Sequence, residues 1–116
     1  MYRDPILYLE DILDAIRKIR EYIAEITFED FCDDEKTVDA VIRNLEVIGE
    51  AAKNLPQNMK DIHPEIEWRK ITAIRNIVVH QYFGVDNFII WDVISTKLGS
   101  LYDAATDLLN KPQQFS

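Results

Sequence analysis

The stretch ITAIRNIVVHQY, residues 71–82, places an Arg, an Asn, a His and a Tyr in an otherwise apolar segment. Its isoleucines and valines fall on almost every face of a helix drawn at about 100° per residue, which is typical of a buried helix. Arg75 lies between Ile71 and Val79 on that helix, in the middle of the apolar surface. Because burying an unpaired guanidinium is costly, we expect Arg75 to have a partner, a water-filled cleft or a bound anion.

Apolar residues recur at helical spacing on both sides of this segment, and prolines or glycines fall where the runs stop. The pattern predicts four long helices. The first begins at Pro5, with Asp4 as N-cap, and runs to about Thr27, and the second runs from near Asp34 to just before Pro56. The third begins near Pro64–Glu67 and ends at Tyr82 or Phe83, before Gly84. The fourth is capped by Asp86 and ends at Lys111 and Pro112. Connections are predicted over residues 28–33 and 56–64, the second with a short turn near residues 58–61.

No convincing strand pattern or internal repeat appears in the 116 residues, a length that suits one domain. Short connections between long helices favour antiparallel neighbours. We therefore expect an all-α fold, an antiparallel up-and-down bundle of four long helices plus a short connecting helix, in a single domain over residues 1–116.

The net charge of −8 comes from 13 basic and 21 acidic residues. Phosphate neutralisation needs clustered Lys and Arg, so this balance argues against binding nucleic acid over the whole surface, although a local basic cleft stays open. No run approaches the ~18 apolar residues of a membrane span, and residues 1–5 lack the apolar core of a signal peptide. Cys32 is the only cysteine and forms no intramolecular disulfide. We expect a cytoplasmic protein with no membrane partner.

The second predicted helix carries Gly49 on its apolar face, where a missing side chain permits close approach of another helix. Arg43, Glu46 and Glu50 form a row beside that face. The row has two interpretations. It is either a solvated edge of ion pairs, or it supports a cleft in which Glu46 or Glu50 pairs with Arg75.

Arg75 and His80 lie five residues apart, about 140° around a continuous helix, so they do not share a face. Asn76 and His80, four residues apart, do share one. The two charged groups can converge if the long Arg75 stem bends, or if a second copy of the same helix meets the first across a two-fold axis. A symmetric dimer through this helix would also bury its excess apolar surface, so we expect a homodimer.

Such a cluster suits phosphodiester transfer. An imidazole can serve as acid and base near neutral pH, so His80 could take the proton from an RNA 2′-hydroxyl. The planar fork of Arg75 matches phosphate oxygens and could stabilise charge on the phosphoryl group. Asn76 could orient His80 or bind the phosphate. The predicted product is a 2′,3′-cyclic phosphate, and the chemistry needs no metal or other cofactor; two histidines and one cysteine offer no convincing set of metal ligands.

The pattern Arg-x4-His-x-Tyr, here Arg75, His80 and Tyr82, resembles the motif of HepT-like HEPN-domain toxins. The resemblance covers essentially the whole chain. The remaining matching positions are Arg43-Asn44, Ile48-Gly49-Glu50-Ala51-Ala52, Pro64, Trp68, Asp86 and Trp91.

The resemblance implies a dimeric helical domain whose motif lines a cleft at the dimer interface, and a metal-independent endoribonuclease activity on RNA. It also implies a toxin–antitoxin pair, in which the antitoxin is a minimal nucleotidyltransferase of the MntA type. That antitoxin can transfer AMP to the motif tyrosine, here Tyr82. AMP would add bulk and negative charge beside Arg75 and keep RNA phosphate out of the cleft.

A second hypothesis stays open on the residues alone: a non-catalytic helical dimer that serves as a nucleotidyltransferase partner or nucleotide-binding subunit. The intact pair of Arg75 and His80 favours the enzyme. His63, which precedes Pro64 in a predicted connection, is expected to have a turn or surface role.

Overall fold

The computed structural model describes residues 3–80 and 87–111, with the side chains of residues 77–80 left outside the description. Every regular element in these ranges is a helix. The helices are α1 (Pro5–Ile23), α2 (Phe28–Asp33), α3 (Glu35–Asn54), α4 (Gln57–Ile62), α5 (Trp68–His80), α6 (Asn87–Thr96) and α7 (Leu98–Leu109). None of these helices is both long and apolar enough to cross a membrane.

Helix α3 lies at the centre of the bundle, with α1 on one side and α5 on another, and α1 also packs against α7. The apolar stripes predicted for the long helices supply most of the core. Its completely buried members include Leu9, Ile12, Ile16, Ile19, Val41, Ile48, Leu101 and Ala105. The predicted all-α bundle is confirmed.

The predicted N-cap of the first long helix is confirmed, and Asp34 caps α3 at the position near which the second long helix is predicted to begin. The amide of Ile6 donates to Oδ1 of Asp4 at 3.0 Å, and Pro5 opens α1, where its missing N–H has no cost. The Asp34 carboxylate accepts from the amide of Thr37 at 3.2 Å and from its hydroxyl at 2.7 Å. These bonds satisfy amides that the first turn of a helix leaves without a partner.

The predicted loop over residues 28–33 is wrong, because this segment forms α2. The hydroxyl of Thr27 accepts from the amide of Asp30 at 3.1 Å, and the Asp30 carboxylate accepts from the amide of Thr27 at 3.2 Å. This reciprocal cap starts the helix, and the completely buried Phe31 anchors it to the core. Helix α1 ends at Ile23 rather than near Thr27, since Glu25 adopts a left-handed conformation with φ of 64°.

The predicted short connecting helix is confirmed as α4, which lies in the connection before Pro64 and buries Met59. One further boundary differs from the prediction. The last predicted helix is divided at Lys97 into α6 and α7, although the Lys97 amide still donates to Val93 at 3.0 Å. The fourth long element is therefore two consecutive helical segments. The predicted end of α5 near Tyr82 and the predicted caps at Gly84 and Asp86 lie outside the described residues.

Helices α3 and α5 approach closely at Gly49. A Cβ added to this glycine would lie 3.2 Å from the backbone nitrogen of Arg75 and 3.3 Å from both Cβ of Arg75 and the carbonyl oxygen of Thr72. These contacts are too tight for a larger side chain unless the helices separate. The close approach predicted for Gly49 is confirmed.

We expect Gly49→Leu to lower the free energy of unfolding by about 2 kcal/mol, because overpacking would push α5 away from α3. Urea unfolding followed by circular dichroism measures the change. Gly99→Leu is the matched control: a Cβ at Gly99 meets nothing within 4 Å, so this variant should be neutral or slightly stabilising. Equal loss in both variants would contradict a special role for the Gly49 contact.

Candidate active site

A groove of about 550 Å³ opens between α1, α3 and the middle of α5. Three arginines and three carboxylates line it, together with Tyr8, Val47 and Ala51. The charged residues are Arg3, Arg43, Arg75, Asp11, Glu46 and Glu50. The groove therefore carries balanced charge on a protein whose net charge is −8.

Arg75 forms an ion pair with Glu50, in which Nη1 donates to Oε2 at 2.9 Å. The two side chains are 52% and 50% exposed. The expectation that Arg75 lies within a buried apolar surface is therefore wrong. The reason is that α5 presents Ile71 and Ile74 to the core, while positions 75 and 76 turn to solvent at the edge of α3.

The two carboxylates proposed to support the cleft behave differently. Glu50 holds Arg75, whereas Glu46 lines the same groove without an ion pair to any residue in the described ranges. Glu50 follows Gly49, the position where the two helices nearly touch. The packing of α3 against α5 thus sets the distance between the carboxylate and the guanidinium.

The remaining motif residues are placed only in part. Asn76 is exposed, and α5 continues without interruption to His80, so Asn76 and His80 lie one turn apart on the same side of the helix. The side chain of His80 lies outside the description, and Tyr82 lies outside the described residues altogether.

Sequence reasoning missed the environment of His63. Its Nε2 lies 2.7 Å from Asp107 on α7, 44 residues away, and its Nδ1 lies 2.8 Å from Glu65. The side chain is only 17% exposed. Both ring nitrogens face a carboxylate, an arrangement that favours the doubly protonated imidazolium.

The pKa values in this cluster follow its geometry. Partial burial lowers the pKa of His63, but hydrogen bonds to Glu65 and Asp107 outweigh it, so the pKa lies above the ordinary 6.5. The hydrogen bond from His63 lowers the pKa of Glu65, and bonds from Lys111 and His63 lower that of Asp107. The cluster joins the end of α4 to the end of α7, and it does not border the groove around Arg75.

Trp68, the first residue of α5, attaches this helix to the end of α4. Its indole Nε1–H donates to the carbonyl oxygens of Lys60, at 3.1 Å, and His63, at 3.0 Å. These carbonyls belong to the C-terminal end of α4, where a helix lacks internal donors. The indole thereby orients the start of α5, the helix that carries Arg75.

A family model described as "Ribonuclease HepT-like" matches residues 12–108, a range that includes the groove residues of α3 and α5. The chain belongs to the HepT-like ribonuclease family. The family predicted from the Arg-x4-His-x-Tyr pattern is thus confirmed.

Curated relatives agree with the family model. The chain is 51% identical over 94 residues to a protein of Thermococcus cleftensis named "Probable ribonuclease HepT", a match covering 81% of this chain and 86% of that protein. It is 41% identical over 96 residues to a candidate RNase of Methanocaldococcus jannaschii, covering 83% and 79% of the two chains. It is 38% identical over 109 residues to a candidate RNase of Caldanaerobacter subterraneus, covering 94% and 97%. No solved structure matches the chain significantly.

The His63 cluster predicts a pH-dependent stability. A raised histidine pKa stabilises the folded state below the unfolded value of 6.5, and this contribution is lost as pH rises through the folded pKa. The lowered pKa values of Glu65 and Asp107 stabilise the folded state above their ordinary values of 4.5 and 3.8, and this contribution is lost as the pH falls through the folded pKa values. We expect His63→Gln to cost about 1 kcal/mol near pH 5.5 and less near pH 8.5.

Urea unfolding at the two pH values tests this expectation. Asp103→Asn, which removes an exposed carboxylate one turn before Asp107 on α7, is the matched control and should show no such dependence. A cost for His63→Gln that is equal at both pH values would show that the ring acts by packing alone.

Proposed function

We propose that the chain is a metal-independent endoribonuclease toxin with Arg75 and His80 as catalytic residues and Asn76 as their support. The observation that carries this proposal is the state of Arg75. Its guanidinium stands half exposed at the wall of an open groove and gives one hydrogen bond to Glu50. A guanidinium has five N–H donors, so most of its donors remain available to phosphate oxygens.

The reaction follows from the chemistry of these groups. His80 removes the proton from a ribose 2′-hydroxyl, and the 2′-oxygen attacks the neighbouring phosphorus. The bond to the 5′-oxygen of the next nucleotide breaks, and that oxygen leaves as a hydroxyl after it takes up the proton that His80 removed, directly or through water. Arg75 stabilises the charge that develops on the phosphoryl oxygens. The products are a 2′,3′-cyclic phosphate and a 5′-hydroxyl, so DNA, which lacks the nucleophile, is not cut.

The proposal includes two partners. The first is a second copy of the chain that meets the first through α5, because positions 75 and 80 lie about 140° apart around one continuous helix. The second is a minimal nucleotidyltransferase antitoxin of the MntA type, which neutralises the toxin by transferring AMP to Tyr82. Membership of the HepT-like family supports this pairing.

The direct test of the enzyme is RNA cleavage by purified protein in excess EDTA. The wild-type chain should leave cyclic phosphate ends, and Arg75→Ala and His80→Ala should each lower the rate at least 100-fold. Arg17→Ala, which removes an exposed guanidinium on α1 outside the groove, is the control and should keep full activity.

Stability measurements separate chemistry from folding in this experiment. The exposed pair of Arg75 and Glu50 is worth about 0.2–1 kcal/mol, so Arg75→Ala should unfold at nearly the wild-type urea concentration. Absence of cleavage by wild-type protein, with Tyr82 shown to be unmodified by intact mass, would overturn the enzyme and favour the non-catalytic helical dimer.

The neutralisation step has its own test. Incubation with ATP, Mg²⁺ and the minimal nucleotidyltransferase of the same organism should add the mass of one AMP per modified chain and abolish cleavage. Tyr82→Phe should block this mass change, whereas Tyr22→Phe, at an exposed tyrosine of α1, should leave it intact. Loss of activity without any mass change would show that the antitoxin works by occlusion instead.

A further inference from the structure

Arg43 differs from the other arginines of the groove because it has no ion-pair partner within the described ranges. Arg75 is paired with Glu50, and Arg3 is paired with Asp11 at 2.7 Å. The Arg3 guanidinium also lies 4.7 Å from the centre of the Tyr8 ring. Two of the three cations therefore have a carboxylate partner, while the exposed Arg43 has none among the described residues and keeps its full set of N–H donors.

The position of Arg43 relates directly to the site around Arg75. Arg43 precedes Glu50 by seven residues on α3, which places it on the same face, two turns or about 10 Å along the helix. Glu50 in turn holds the guanidinium of Arg75. The groove thus presents two cationic groups in a row, one at each end of the same stretch of α3.

Between these two groups α3 contributes an apolar side chain, Val47, and a carboxylate, Glu46, to the lining of the groove. Val47 lies four residues after Arg43 and three before Glu50, and it is 38% exposed; Ala51 lines the same wall. A polynucleotide alternates charged phosphates with nucleosides that have apolar faces. The order of Arg43, Val47 and Arg75 along the groove, a cation, an apolar side chain and a second cation, matches the order of phosphate, nucleoside and phosphate along such a strand.

We propose that Arg43 binds a phosphate of single-stranded RNA next to the phosphate held by Arg75. This inference rests on the proposed ribonuclease function and assigns Arg43 to substrate binding, not to the chemical step. The bond is electrostatic and independent of base identity. It matters because a chain of net charge −8 repels RNA over most of its surface and needs local cations to hold the strand.

Binding is measured separately from cleavage with a 12-nucleotide RNA in which every 2′-hydroxyl is methylated, so that the nucleophile is blocked. Fluorescence anisotropy between 50 and 200 mM KCl gives the affinity and its salt dependence. Arg43→Gln should weaken binding roughly tenfold, as expected for one charge-assisted contact. It should also reduce the slope of log K against log salt by about 0.7, the value for one phosphate of a single strand.

Two further variants serve as controls for the effect of Arg43→Gln on binding. Arg17→Gln removes an equally positive, exposed side chain outside the groove and should leave both affinity and slope near wild type. Glu46→Gln removes an unpaired carboxylate three residues from Arg43 and should tighten binding, since less negative charge then faces the phosphate. Weaker binding by Glu46→Gln would contradict the electrostatic account.

Cleavage of two substrates separates binding from chemistry. On the unmodified 12-nucleotide RNA, Arg43→Gln should raise KM with little change in kcat. On a dinucleoside monophosphate, which carries only the scissile phosphate, the loss in kcat/KM should shrink to about twofold or less. An equally large loss on both substrates would assign Arg43 to the chemical step or to folding, and would overturn the proposal.

The outcomes distinguish this inference from the function on which it rests. Cleavage by the wild-type chain with no difference between Arg43→Gln and Arg17→Gln would overturn the Arg43 site and leave the ribonuclease standing. Binding that depends on Arg43 without any cleavage would remove the ribonuclease and keep the phosphate site. A wild-type chain that neither binds nor cleaves RNA would overturn both.

Discussion

The near-contact of α3 and α5 at Gly49 is the constraint on which the candidate site depends. The backbone nitrogen of Arg75 lies 3.2 Å from the position that a Cβ at residue 49 would take, and the next residue, Glu50, supplies the carboxylate that holds the guanidinium. A weak, exposed ion pair could not by itself position two helices, because it is worth about 1 kcal/mol at most. The core packing around Gly49 therefore fixes the geometry, and the ion pair selects the orientation of Arg75 within it.

The charge distribution explains how an acidic protein can still present a site for an anion. In the groove, Arg3 and Arg75 each form an ion pair with a carboxylate, so the positive and negative side chains that line it are equal in number. Arg43 and Glu46 line the same groove without an ion pair to any described residue, so a change at either one alters the charge that faces a ligand. Such a groove would hold RNA by a few directed contacts more than by long-range attraction, which also makes it easy to close with one added negative group.

The sequence predicts features that depend on contacts between neighbouring residues better than features that depend on contacts between distant parts of the chain. Local signals were sufficient for the starts of α1 and α3, because Asp4 and Asp34 cap the very next turn. Of the two carboxylates that contact His63, Asp107 lies 44 residues away, and no local pattern identifies it. The exposure of Arg75 was predicted wrongly for the same reason: the apolar spacing identifies a helix, but which side meets α3 is a property of the assembled bundle.

The continuity of α5 links two of the proposals. Because the helix runs unbroken from Trp68 to His80, positions 75 and 80 lie about 140° apart around its axis. In the proposed mechanism, a phosphate bound by Arg75 in the groove therefore lies on a different side of α5 from position 80 of the same chain, unless the arginine stem bends around the helix. Pairing with Glu50 holds that stem towards α3. This separation is the reason that the proposed mechanism includes a second copy of the chain, related to the first by a two-fold axis through α5.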